Sequence, residues 1–224
     1  AVAKSLTSFP PEIALPLLEK LSNDFINHVR LAVTKALVSF PPEKVLYLLK
    51  KLSNDRDSGI REAVAESLTS FPTEVALPFL EKLTTDRKYN VRFVATKTLT
   101  HFPSEVTLPL LEELSKNHDY EIRCSVARSL TSFSSEKALP ILKRLTTDRS
   151  CNVRLAVAKS LVSFPAEVVL PLLEKLSTDR HENVQKTAHH TLLSSILPHL
   201  LQDAIAKEDH RKIFDLLGKF PVVA

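Results

Sequence analysis

The chain has 224 residues, 44% apolar and 25% charged, with a formal net charge of +4 and a pI near 9.0. Only two glycines, Gly59 and Gly218, argue against hairpin-rich β folds and phosphate-cradling glycine loops. No apolar run is long enough for a membrane span, and two cysteines, Cys124 and Cys151, are too few for a disulfide scaffold and point to a reducing, cytoplasmic setting.

In chain order, Ala1 aligns with Ala156, so the chain opens inside a helix whose start is missing. A truncated first repeat with an uncovered apolar end is expected, able to fray or to self-associate. The phrase SFPPEIALPLLEKLSND at 8–24 returns as SFPTEVALPFLEKLTTD at 70–86 and SFPAEVVLPLLEKLSTD at 163–179. Val29, Ile60, Val91, Ile122, Val153 and Val184 recur every 31 residues, and such a period signals a stacked repeat. Within one unit, Val153, Ala156, Val157, Ser160, Leu161 and Phe164 form one helical stripe. The residue before a proline avoids the α region, so this helix ends near Ser163. Pro165 suits the first position of a second helix, with Glu167 in its first turn and Val169, Leu170, Leu172, Leu173 and Leu176 on its apolar face. The predicted fold is all-α, a right-handed solenoid of two-helix units over 1–195, with a divergent helical cap or further segment over 196–224. Asp209 is placed to cap a last helix running to Gly218.

Pro16, Pro78, Pro109, Pro140 and Pro171 occupy one slot inside the second helix, with Tyr47 replacing proline in one unit. Two readings stand open. If the helix starts near Glu167, Pro171 falls among N–H groups that lack helical partners anyway; if it starts at Pro165, the proline removes one bond and bends the helix, setting curvature.

The unit of Asp-x5-Arg, a Val-Arg opening, a turn through proline and a Leu-Pro-Leu-Leu run resembles a HEAT repeat, in particular the short HEAT-like units of the phycobilin lyase group. The resemblance implies that second helices line a concave face and that an Asp–Arg ladder runs along the stack. Carried onto this chain, the ladder comprises Asp24, Arg30, Asp55, Arg61, Asp86, Arg92, Arg123, Asp148, Arg154 and Asp179. Asn117 and Gln185 depart from that pattern.

No nucleophile elbow, zinc-protease helix or paired-cysteine metal motif is present, so no enzyme activity, metal or cofactor is expected. His181, His189, His190, His199 and His210 cluster late in the chain, but none stands four residues from another, and they read as surface histidines. Cys124 falls on a first helix and Cys151 in a turn, and both read as ordinary thiols.

The concave rows are the candidate partner surface. One row is Glu19, Lys50, Glu81, Glu112, Lys143 and Glu174, net negative; the other is Lys20, Lys51, Lys82, Glu113, Arg144 and Lys175, net positive. Lys4, Lys35, Glu66, Lys97, Arg128 and Lys159 form a net-positive row on the first helices, and Arg56, Arg87, Lys88, Arg149 and Arg180 at the turns add basic charge. The leading expectation is a non-enzymatic scaffold that binds a protein or peptide along the concave face. The alternative is nucleic-acid backbone binding, as in the HEAT-like DNA glycosylases. It is favoured by the pI and opposed by the acids in the rows, so only weak, non-specific nucleic-acid binding is expected. Help in bilin attachment rests on the resemblance alone.

Overall fold

The computed structural model describes residues 2–219, and every regular element among them is helical. Helices α1 (Val2–Ser5) and α2 (Pro11–Leu21) form the first hairpin, α3 (Asn27–Leu37) and α4 (Pro42–Leu52) the second. Then come α5 (Ser58–Ser67) with α6 (Thr73–Leu83), α7 (Tyr89–Thr98) with α8 (Ser104–Leu114), and α9 (Tyr120–Ser129) with α10 (Ser135–Leu145). Helices α11 (Cys151–Ser160) and α12 (Ala166–Ser177) follow, then α13 (Glu182–Thr191), α14 (Leu197–Ala206) and α15 (His210–Lys219). The chain divides into two compact units, Ala1–Glu113 and Leu114–Ala224, each with its own core.

Within each unit the odd-numbered first helices stack on one another with closely approaching backbones. Small residues make this possible. Ala63, Ala65 and Thr34 are buried in the first unit, and Ala127, Ser125, Ala156 and Ala158 in the second. The buried hydroxyls are satisfied within their own helices: Thr34 Oγ1 donates to the Arg30 carbonyl at 3.1 Å and Ser125 Oγ to the Glu121 carbonyl at 3.0 Å. Leucines fill the space between the two helix layers. Leu37, Leu48, Leu49, Leu52, Leu68 and Leu80 are sealed in the first unit, and Leu130, Leu142, Leu161 and Leu173 in the second.

The turn inside each hairpin is built the same way. In five units a single 3-10 turn, such as Leu161–Ser163, ends the first helix, and the next residue swings into extended backbone. That residue is the phenylalanine, with φ −116° and ψ 160° at Phe164. Phe133 adopts the same geometry (φ −107°, ψ 161°) although Ser134 follows it where the other units have proline. Proline favours this turn but is not required for it.

Pro165 is the residue before α12, not its first residue: its ψ of 138° is extended, and its carbonyl accepts from the Val168 and Val169 N–H groups at 3.2 and 3.3 Å. Pro171 is therefore the sixth helical residue, beyond the N–H groups that lack partners, and its ring removes the bond the Glu167 carbonyl would have accepted. The same holds for Pro16 in α2 and Pro78 in α6. Helix length is unaffected: α4, with Tyr47 in the slot, has 11 residues, as do α2 and α6.

The repeat pattern dissolves after α13. A π-helical stretch, Leu192–Ile196, joins α13 to α14 with no phenylalanine turn between them. Glu208, at φ 51°, ends α14 in the left-handed region, and the Asp209 side chain caps α15 by accepting the Lys212 N–H at 3.0 Å. Helix α15 runs through Gly218 to Lys219.

Candidate interaction surfaces

The most regular polar feature is a set of rungs. Arg30 donates from Nε and Nη2 to the two carboxylate oxygens of Asp55 at 2.7 and 2.8 Å, and from Nη1 to the carbonyls of Asp24 and Phe25 at 2.8 and 3.2 Å. Arg61 takes Asp86, Arg123 takes Asp148 and Arg154 takes Asp179 in the same forked geometry. Each pair thus joins an arginine to the aspartate 25 residues later, in the next repeat, while Nη1 holds the turn of its own repeat. Arg92 likewise holds the Asp86 carbonyl, at 2.9 Å. The aspartates fold their own turns as well: Asp55 Oδ1 accepts the Asp57 N–H and Asp179 Oδ1 the His181 N–H, both at 2.8 Å. Asn117 keeps this role, accepting the Asp119 N–H at 2.9 Å.

These guanidiniums are buried, with Arg30, Arg61, Arg123 and Arg154 each 4% exposed. Burial raises the cost of ionising Asp55, Asp86 and Asp148, yet the facing guanidinium and the backbone N–H outweigh it, and all three carboxyls lie below their ordinary range. At Asp179 the Arg154 bond is the largest influence and acts in the same direction.

The residues of the two second-helix rows are exposed, apart from the half-buried Glu174. One row is less open to a partner than its charges imply. Lys51 Nζ donates to Ser22 Oγ and Asn23 Oδ1, both at 2.7 Å, Lys82 bonds the Asn54 side chain, and Arg144 bonds the Ser115 hydroxyl. Each of these cations ties its repeat to the end of the preceding second helix. Sequence reading missed the apolar residues beside them. On α2 and α4, Ile13, Leu17, Leu46 and Tyr47 are 55%, 42%, 40% and 46% exposed. Polar bridges join the same two helices: Lys44 Nζ to Glu12 Oε1 at 2.5 Å, and Tyr47 Oη to Glu19 Oε2 at 3.4 Å. The signal for Tyr47 was present in its substitution into a proline slot.

The family profile described as HEAT repeats matches residues 13–100, 77–150 and 107–193. The chain belongs to the HEAT repeat family. Solved structures similar to it include YibA of Escherichia coli, at 15% identity over 89% of this chain and 78% of that one, with a TM-score of 0.51. A designed armadillo repeat protein in complex with the peptide (KR)4 is 20% identical over 80% of this chain and 98% of its own, with a TM-score of 0.45. Human deoxyhypusine hydroxylase in complex with glycerol is 20% identical over 85% and 76%, with a TM-score of 0.44. A search of curated proteins returned no significant match.

The two thiols of this HEAT repeat chain sit on first helices, Cys151 as the half-buried first residue of α11 and not in the turn expected from the sequence. Cys124 is buried on α9, and burial pushes its thiol up to about 11, so it stays protonated at neutral pH. His181, His189, His190, His199 and His210 are all exposed, and among the described residues no three His, Cys, Asp or Glu side chains gather into a group that could hold a metal. No described helix is long and apolar enough to cross a membrane.

Proposed function

We propose that this HEAT repeat protein is a binding scaffold that takes a protein or peptide partner on the exposed face of its second helices. The observation that carries the reading is the exposure of Ile13, Leu17, Leu46 and Tyr47 on α2 and α4, large apolar groups left in water on two helices that charged and polar bridges join. Apolar and aromatic anchors within a polar surround are the usual composition of a protein interface. Glu19, Lys20, Lys50 and Lys51 form the charged surround in this unit, and Glu81, Lys82, Glu112 and Glu113 continue it along the same unit. Lys143, Arg144, Glu174 and Lys175 are the corresponding positions of the second unit.

The test is selection of peptides from a random library on the intact protein, followed by measurement against Leu46→Asp and Tyr47→Asp. Both residues are close to half exposed, so neither change should unfold the protein. Loss of an interface anchor costs about 2 kcal/mol or more, roughly thirtyfold in affinity. Selected peptides that bind both variants as tightly as the parent would refute the proposal. Nanomolar binding of duplex DNA with a steep salt dependence would instead favour the nucleic-acid reading.

A further inference from the structure

We propose that the cleft between the end of α11 and the second half of α13 binds the phosphate group of a phosphate monoester. It measures about 480 Å³, and Lys159, Lys186 and His190 line it together with the hydroxyls of Thr187, Thr191 and Ser195. The lining holds no carboxylate. Lys159 makes no hydrogen bond or ion pair with any described residue. Lys186 pairs with Glu182 at 2.6 Å, but the two side chains are 72% and 71% exposed, and a pair so open to water holds its partners weakly. One ammonium is thus uncommitted, and a second is easily drawn to an anion.

Thr191 points to a ligand. It is 7% exposed and lines the cleft, yet its hydroxyl has no hydrogen-bond partner among the described residues. A hydroxyl buried without a partner bears its whole desolvation cost, which a bound acceptor would remove. Ser194 Oγ, beside it, is committed to the His190 carbonyl at 2.5 Å, and Ser195 Oγ stands 3.4 Å from it. The composition also departs from the repeats here. In the 31-residue register Lys186 stands where the other first helices carry Leu31, Glu62, Phe93, Cys124 and Leu155, and Ser195 stands where the preceding unit has Phe164. An ammonium and a hydroxyl thereby enter one cleft. Ser195 lies in the π-helical stretch Leu192–Ile196, a turn type frequent at functional sites. Charge and donor number decide between anions. A phosphate monoester brings close to two negative charges and three acceptor oxygens, which two ammoniums and three hydroxyls match better than they match the single charge of a carboxylate. All these residues belong to the second compact unit, and none takes part in the α2 and α4 surface.

The site is tested with inorganic phosphate and with a phosphoserine tetrapeptide, with acetate as control, all at one ionic strength, by following backbone and side-chain NMR signals of the intact protein. Shifts should concentrate at residues 186–195 and at Lys159. Thr191→Val keeps the shape of the side chain and removes its hydroxyl. It should leave the melting temperature unchanged or higher and weaken phosphate binding about tenfold. The double variant Lys159→Gln/Lys186→Gln, at two exposed positions, should weaken binding at least about tenfold as well. Tighter binding of the phosphopeptide than of free phosphate would assign the group to a protein partner, and equal or weaker binding would assign it to a small anion. The proposal is overturned if either variant binds phosphate as tightly as the parent, or if acetate binds the parent as tightly as phosphate does.

Discussion

Arg61 fills four roles with one side chain: two bonds to Asp86, one to the Asp55 carbonyl at 2.7 Å and one to the Arg56 carbonyl at 3.4 Å. Lysine has no planar fork and cannot reproduce that set. Arg61→Lys should therefore lower stability by about 3 kcal/mol, since it leaves Asp86 buried without its forked partner; a denaturant melt within 0.5 kcal/mol of the parent would contradict this. The pH dependence follows from the same pairs. Asp55, Asp86, Asp148 and Asp179 have carboxyls depressed in the folded state, so their contribution is present above the unfolded carboxyl value and is lost as pH falls through the folded one. Melting temperature should be flat from about pH 5 upward and drop below about pH 4. The residues of the rungs were legible in the sequence, but the pairing was not. In a 31-residue repeat, the acid six residues before an arginine and the one 25 residues after it occupy the same slot in neighbouring units. Spacing alone gives no reason to prefer one, and only the packed structure shows the carboxylate coming from the later unit.

Among elements, the 31-residue period and the apolar stripes located both helices of each unit, because stripe and turn signals reinforce one another six times over. The start of the second helix was less legible. A proline fits both the first helical position and the residue before it, and the chain uses the latter at Pro165. Leu130, fully buried at the end of the α9 hairpin arm, should cost about 2–5 kcal/mol when cut to alanine; a loss under 1 kcal/mol would show that the site collapses around the deletion. The exposed apolar residues of α2 and α4 were hidden for a different reason. Leu17 and Leu46 carry no mark in the sequence that separates them from core leucines such as Leu18 and Leu48, which lie beside them and are sealed.

For the whole molecule, repeat packing makes stability a sum over neighbours, so a unit with less coverage opens first. Phe9 is 50% exposed, whereas Phe40, Phe71 and Phe164 are about a tenth as exposed, at 5%, 5% and 6%. Amide hydrogens at residues 3–9 should therefore exchange faster than those at 157–164, and equal protection in a monomer would contradict the expectation. Mixed charge on the exposed rows limits nucleic-acid affinity too. Binding of duplex DNA should be no tighter than about 1 μM at physiological salt, as measured by a salt titration of fluorescence anisotropy.

The forward reach of the rungs has a consequence in time. Arg30, Arg61, Arg123 and Arg154 each wait for an acid 25 residues further along the chain. At a synthesis rate of roughly 5–20 residues per second, that delay is about 1–5 seconds for each of these four repeats as it emerges from the ribosome. The newest hairpin is thus always fastened to its own turn but not yet to its successor. The lock travels along the chain one repeat behind translation, and the wait is the same however many repeats have already formed.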